Sequence, residues 1–404
     1  MKAKRVCSLL LSAAMLVCAM PLSSAAPAED ETLRREIDRY NYVIGTNAFS
    51  PNYQFTDMDP LFELSDRILA WGSNMVKFSA GSDPDLMDRV LAAYDFSYVF
   101  LWFRSSGAFR DGYSEEEAAA DYEAFYALTQ KLLRTYNGTG RHFYLGHWEG
   151  DWYYLDNAAQ QEVDDTVTNG MIAWLSTRQK AVDDAKRDTP HENVYVWHYT
   201  EVNRPVDAMK HGYDRVVNRV LPYVNVDYVS YSAYDSMDGS DLSVRRAVDY
   251  IYGNLQAKSG VPGPRVFIGE VARPAERCGY NDARHCSANL SILYKYLQCD
   301  VQFVLYWQMY CNEKLADGSS RGYWLIDENG NETQLYKDLQ QVFTDGKAYV
   351  ERFAKVHGRV PTNREYRSWL TRHPVFLRAR ISDFFARVAD FFRSLPQKLG
   401  ALTG

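Results

Sequence analysis

The chain has 404 residues, enough for one large domain with an appendage or for two domains. Its net charge of -7 argues against a nucleic-acid binder at the level of the whole chain. Its 30 Tyr and 9 Trp exceed what a core needs and point to a surface or groove built from flat, amphipathic rings.

Lys2, Lys4 and Arg5 precede an apolar run over residues 6–20, and Ser23, Ser24, Ala25 and Ala26 follow. That order reads as a secretory signal peptide over residues 1–26. The run is too short to favour a stable membrane span. Cys18 follows Val17 rather than a small residue, which argues against a lipoprotein site. The expected mature protein is exported and soluble, whether secreted, periplasmic or at the cell surface. It keeps Cys278, Cys286, Cys299 and Cys311, whose spacing matches no zinc motif.

A charged lead-in, residues 29–39, has helical character. Eight short apolar runs follow, over residues 42–46, 75–78, 98–103, 142–147, 194–199, 226–231, 266–269 and 301–307. Between them, residues 115–134, 171–187, 241–257 and 288–298 carry helical spacing. Alternating strand and helix implies a parallel sheet. Eight units predict an α/β fold, a (β/α)8 TIM barrel over residues 33–345. No glycine-rich phosphate loop follows the first run, which counts against a nucleotide-binding sheet. The fourth connection, residues 151–169, is long and aromatic, with Trp152, Tyr153 and Tyr154.

Asn329-Gly330 marks a tight turn, and a helix over 334–343 closes the barrel. Residues 346–404 form a basic helical extension. From 345 onward there are twelve Lys or Arg and five Asp or Glu, a net of +7 that leaves -14 in the rest. Thr362 and Glu365 give a capping-box pattern, and Pro374 ends that helix. A second helix over 376–395 puts Ile381, Phe384, Val388, Phe391 and Leu395 on one face. Docking of this extension on the acidic barrel is expected; association with an anionic membrane surface and pairing with another subunit are the alternatives.

Polar residues gather where the strands end. The fourth runs into His147-Trp148-Glu149, the fifth into Glu201 and Asn203, the sixth into Tyr231, Tyr234 and Asp235, the seventh into Glu270 and the eighth into Trp307-Gln308. A lone strand-end glutamate is ordinary. Three on one rim are costly, because clustered carboxylates raise each other's pKa. Two carboxyls facing across an aromatic groove suit glycosidic cleavage, one protonated to donate and one ionised to attack or to direct water. His147 and His198 lack metal-ligand spacing and read as core or hydrogen-bonding groups. Trp102 and Trp197 read as packing, and Trp152 and Trp307 as sugar platforms. Lys77 and Arg104 are expected to pair with rim carboxylates.

These residues resemble the clan of retaining glycoside hydrolases built on (β/α)8 barrels. Ile268-Gly269-Glu270 is similar to the clan's strand-seven nucleophile. Val229-Ser230-Tyr231 with Tyr234 looks like its strand-six tyrosine segment, Leu305-Tyr306-Trp307 like its strand-eight tryptophan, and residues 327–336 like the turn and helix beyond. The resemblance covers roughly residues 40–345. It implies a carbohydrate substrate, no cofactor, Glu270 as nucleophile and an acid/base glutamate on strand four. The clan's Asn-Glu pair is absent there; Trp148-Glu149 and Thr200-Glu201 both compete. Counting strands favours Glu149, with Glu201 open as the alternative. Substrate-binding roles fall to Glu201, Asn203, His147, His198, Trp152, Tyr231, Tyr234, Trp307 and Asn47. The catalytic carboxyls are then expected roughly 5 to 6 Å apart. The competing functions are a silent carbohydrate-binding barrel and a barrel hydrolase of other chemistry, such as a metal-dependent deacetylase.

The strand assignment also orders the cysteines. Cys278 and Cys286 follow strand seven and Cys311 strand eight, whereas Cys299 precedes strand eight at the opposite end. A Cys278–Cys286 disulfide is therefore expected, with Cys299 excluded.

Overall fold

Eight parallel strands close into one barrel in sequence order, β1 to β8. The structure, a computed structural model, describes residues 28–81, 83–382 and 385. The expected signal peptide and the expected face formed by Phe384, Val388, Phe391 and Leu395 lie outside the described residues.

After α1 (Ala28–Asp38), the chain alternates as expected: β1 (Ile44–Asn47), α2 (Pro60–Trp71), β2 (Met75–Ser79), α3 (Pro84–Ala93), β3 (Tyr98–Trp102), α4 (Glu115–Thr135) and β4 (His142–Gly146). The long fourth connection holds a short helix, α5 (Gly150–Tyr154), before α6 (Asp165–Asp188). Then come β5 (Tyr195–Val202), α7 (Pro205–His211), β6 (Tyr228–Ser232), α8 (Asp241–Asn254), β7 (Val266–Val271), α9 (Asp282–Leu297), β8 (Val304–Tyr306), α10 (Gln334–His357) and α11 (Asn363–Leu370). Pairing of Ile44 with Val304 and of Thr46 with Tyr306 closes the sheet. Local signals start the helices: Asp59 caps α2 ahead of Pro60, and a Ser114–Glu117 capping box starts α4.

The inward side chains form layers. Phe100, Tyr144, Phe267 and Phe303 fill the lower barrel, with Phe100 stacked on Tyr144 at 4.6 Å and crossing Phe303 at 5.0 Å. Above this apolar floor the interior turns polar, with Lys77, Glu201 and Ser230 all buried. The outward side chains meet the helices.

The boundary expected at residue 345 falls inside α10, which runs on to His357. The described part of the extension packs under the N-terminal ends of the strands. Tyr366 makes edge contacts with Tyr40 and Tyr42, and Tyr40 donates to the Pro361 carbonyl at 2.9 Å. Residues 374–382 are helical; Phe376 is buried, and Arg380 pairs with Asp241 of α8 at 2.8 Å. Pro374 opens that stretch, while α11 has already stopped at Leu370. No helix among the described residues is long and apolar enough to cross a membrane.

The expected Cys278–Cys286 bridge does not form; all four described cysteines are free and buried. Cys286 sits on the side of α9 that faces α10, with its thiol directed at Asp338 (3.5 Å). Cys278 lies in a short turn near Arg273 and Arg284, whose charges oppose the burial that raises its pKa.

Candidate active site

The site is built around a lysine that interrupts an apolar strand. β2 reads Met-Val-Lys-Phe-Ser, and Lys77 points into the barrel with no exposure. A buried ammonium must be paired. The Lys77 Nζ lies 3.0 Å from Glu201 Oε2 and 3.6 Å from Glu270 Oε1, and it donates to the Gly269 carbonyl at 3.3 Å. Glu201 also accepts from Ser230 Oγ at 2.8 Å and from the Glu149 N–H at 2.7 Å. Both its oxygens are thereby committed within the protein.

Glu270 reaches this cluster because β7 is irregular. The ladder shifts between Tyr231 and Ser232 on one side and between Ile268 and Val271 on the other. Such a bulge re-aims side chains at a barrel rim. Residue 269 must be glycine, since a Cβ there would lie 1.9 Å from Ser230 Oγ and 3.1 Å from Lys77 Nζ. Ser232 Oγ donates to Glu270 Oε2 at 3.4 Å.

Glu149 sits just past β4 with a left-handed backbone, φ 53°. A non-glycine residue there is strained, by about 1–3 kcal/mol. Two features hold it: its N–H is bonded to Glu201, and Gly150 lies so close to β5 that a Cβ would come 2.1 Å from the Glu201 carbonyl oxygen. Among the described residues no donor holds the Glu149 carboxyl. Burial raises its pKa to about 7, with repulsion from Glu201 adding and Lys77 opposing. Burial raises Glu270 to about 8; Lys77 opposes, and Glu201 and Glu149 add to the rise. Two mutually repelling carboxyls with raised pKa values hold one proton between them near neutral pH.

Aromatic rings cover these carboxyls. Trp148 stacks on Trp102 at 5.1 Å and on Trp307 at 6.4 Å, and Phe49 contacts all three. Lys77 lies 4.7 Å from the Trp102 ring centre. The Trp148 indole N–H faces Glu270, near enough to favour its ionised form without a well-formed hydrogen bond. Buried polar atoms without a hydrogen-bond partner collect here: Asn47 Oδ1, Trp102 Nε1, Trp148 Nε1, Glu270 Oε1 and Gln308 Nε2. Groups of this kind are normally satisfied in a folded protein, and their concentration marks a binding centre.

The structure brings together Glu149, Glu201, Glu270, Trp307 and Asn47, the last bonded to the Gly269 and Tyr306 carbonyls at 3.3 and 3.2 Å. Tyr234 belongs with them; burial and then the Glu270 charge hold its hydroxyl pKa well up. Several expected substrate-binding residues are elsewhere. His198 faces the helices, bonded to Gln179 at 3.1 Å, because Tyr199 and Glu201 take the inward positions of β5. Tyr231 points outward for the same reason and bonds Ser236 (2.6 Å) and Asp235. His147 is buried against Trp174 of α6; its Nε2 accepts the Glu201 N–H at 3.2 Å, so it positions Glu201 from behind. Asn203 clasps Asp151, which fixes the loop that carries Glu149. Trp152 is exposed, with its ring against Arg204 rather than in the tryptophan stack.

Lys77 pairs with rim carboxylates as expected, but Arg104 goes to Asp121 on α4. Trp102, expected in the packing, belongs to the stack; Trp197 does pack, under Lys186 of α6. Sequence reasoning passed over Phe49, Ser230 and Trp148 as site residues. A lysine inside a buried run was the signal available for the cluster beneath them.

No protein-family model matches the chain, and neither does any curated protein. Solved structures do share its fold. A family 39 β-xylosidase from Caulobacter crescentus aligns with a TM-score of 0.50 at 12% identity, over 76% of this chain and 72% of that one. A family 39 glycoside hydrolase from Bacteroides cellulosilyticus aligns at 0.49 and 11%, over 76% of this chain and 64% of its own length. A family 5 xyloglucanase from Paenibacillus pabuli aligns at 0.48 and 13%, over 77% and 99%. The likeness is one of fold: a closed eight-stranded parallel barrel ringed by helices.

Proposed function

We propose that the chain is an exported glycoside hydrolase that cleaves O-glycosidic bonds of a poly- or oligosaccharide with retention. The observation that carries this reading is the pair of repelling, pKa-raised carboxyls, Glu149 and Glu270, beneath the tryptophan stack. The barrel shared with the β-xylosidase supports the same class. Lys77, Ser232 and the Trp148 N–H all face Glu270 and favour its ionised form; burial nonetheless holds Glu270 (about 8) above Glu149 (about 7), so the pair shares one proton and the form that reacts is the one with that proton on Glu149. Glu270 attacks the anomeric carbon while Glu149 protonates the departing oxygen, which leaves a glycosyl ester on Glu270. Water then attacks that carbon, Glu149 takes its proton, and Glu270 is released. Glu201, with both oxygens already bonded, serves as a fixed counter-ion rather than as the acid.

A 2-deoxy-2-fluoro glycoside of the right sugar should trap the ester, and peptide mapping should find the label on Glu270. Product NMR should show retained anomeric configuration. An inverted first product, or a label on another residue, would sink the mechanism. Export is tested by the mass of the mature protein, expected to start near residue 27.

A further inference from the structure

The connections that leave β6 and β7 also wall a concave site that this mechanism does not use. A cavity of about 560 Å³ opens between the loop after β7, one face of α9 and the extension at Ser382. Among the described residues, Arg273, Arg277, Arg284 and Lys295 line it together with one acid, Asp238. This is a local inversion of charge in a chain of net -7.

The wall is fixed before any ligand arrives. Asn289 accepts the Arg273 N–H at 2.7 Å and donates to the Arg273 carbonyl at 3.0 Å, which locks the loop to α9. The Lys295 ammonium is held by the carbonyls of Met237 and Gly239 at 2.9 and 2.8 Å. Arg273 pairs with Asp238. Arg277 and Arg284 are exposed and form no salt bridge among the described residues. A separate observation points to a ligand. Ser291 lines the cavity, is 3% exposed, and its hydroxyl has no hydrogen-bond partner. A buried hydroxyl left in that state is costly.

We propose that this cavity binds an anionic substituent of an acidic saccharide, with Arg277 and Arg284 gripping the carboxylate, sulfate or phosphate ester. The guanidinium fork matches the paired oxygens of such groups. Asp238 follows Tyr234 in the connection after β6, and Arg273 and Arg277 follow Glu270 in the connection after β7, so the catalytic rim and the cavity wall are neighbouring stretches of the same chain. The inference rests on the hydrolase reading and names its substrate class.

Calorimetric titration of the full chain, as Glu270→Gln to prevent turnover, tests it with four probes: an oligogalacturonate, a sulfated galactan oligosaccharide, a neutral cello-oligosaccharide and inorganic phosphate. At least one charged oligosaccharide should bind, more weakly as salt rises. Arg277→Ala/Arg284→Ala should weaken it about tenfold or more, the scale of a charged hydrogen bond, and leave the neutral probe unaffected. Arg277→Lys/Arg284→Lys, which keeps charge but not the fork, should recover only part of the loss. No binding of either charged oligosaccharide, or binding indifferent to the double alanine variant, overturns the proposal. Phosphate binding as tightly as the oligosaccharide, and lost with it, overturns the saccharide in favour of a free anion. Failure of the wild-type chain to hydrolyse any glycoside, with arginine-dependent binding intact, would overturn the hydrolase reading alone.

Discussion

The two ends of the barrel treat buried charge in opposite ways. At the N-terminal end, each charge named here meets its opposite. Arg141 pairs with Asp95 at 2.8 Å, Lys258 with Asp227 at 2.6 Å, and Arg367 with Asp300 at 3.0 Å. At the C-terminal end, one ammonium serves two carboxylates, a third carboxyl repels both, and unpaired polar atoms gather beneath the tryptophans. The first arrangement is what stability requires. The second is tolerable only because the surrounding shell dictates it, through the glycines at 150 and 269 and the His147 bond behind Glu201. The imbalance at the C-terminal end is what the proposed chemistry requires, and the pairs at the other end show no such imbalance.

The largest expected effects break the imbalance at its reactive groups. Glu270→Gln should lower kcat/KM on the order of 10⁴-fold or more. Glu149→Gln should lower it by about 10²–10⁴-fold, with a smaller loss for leaving groups acidic enough to depart unprotonated. One carboxyl must be protonated and the other ionised, so kcat/KM should peak between about pH 7 and about pH 8. Glu149→Gln should remove the alkaline limb. A monotonic profile in the wild type would contradict the shared proton.

Next in size is Lys77→Met, which strands Glu201 without its cation and should cost about 3–5 kcal/mol of stability. Adding Glu201→Gln should restore part of that. Stability should also depend on pH in a definite sense. Both Glu149 and Glu270 have folded pKa values raised above the usual 4.5. Their contribution is fully present below about pH 4.5 and is lost as pH rises through about 7 to 8. Thermal midpoints at pH 5, 7 and 9 should therefore fall, and less steeply in Glu149→Gln and Glu270→Gln.

The eight strands and the three rim glutamates were legible because period and chain order carry them. What was not legible is which way a residue faces near a strand end. Tyr231 and Tyr234 are three apart, and only the strand's alternation together with the β7 irregularity sends one outward and the other to Glu270. His147 and His198 hold the buried hydrogen-bonding roles expected of them, and the same alternation keeps His198 away from the groove. Trp102 looked like packing because buried aromatic runs usually are, yet its ring belongs to the stack over Lys77. The cysteine pairing failed because position at one end of the barrel does not fix which side of α9 a thiol occupies.

At the neutralised end, Tyr366→Ala should remove the ring that packs on Tyr40 and Tyr42. The expected loss is about 3–5 kcal/mol, as for other buried aromatics, with kcat/KM unchanged once the variant is folded. An equal fall in kcat/KM would show that the two ends are coupled.

The smallest effect expected concerns the cap of α11, and its sign separates the two ends. Thr362 and Glu365 form a capping box: the Glu365 N–H donates to Thr362 Oγ1 at 3.3 Å, and the Thr362 N–H donates to Glu365 Oε2 at 2.8 Å. Arg359, then the Thr362 bonds, hold the Glu365 carboxyl down to about 2. A depressed carboxyl contributes stability that is present above about pH 4.5 and lost as pH falls toward 2, the reverse of Glu149 and Glu270. Because more than a third of the Glu365 side chain is exposed, solvent screens much of this. Thr362→Ala should cost about 1 kcal/mol, read as a shift in the urea midpoint, and Arg359→Ala less than that. The Thr362→Ala loss should shrink below pH 4, where carboxyl protonation begins to compete with the box. A loss that stayed constant on acidification would mean that the threonine cap stands alone, and that the carboxyl contributes nothing to this end of the barrel.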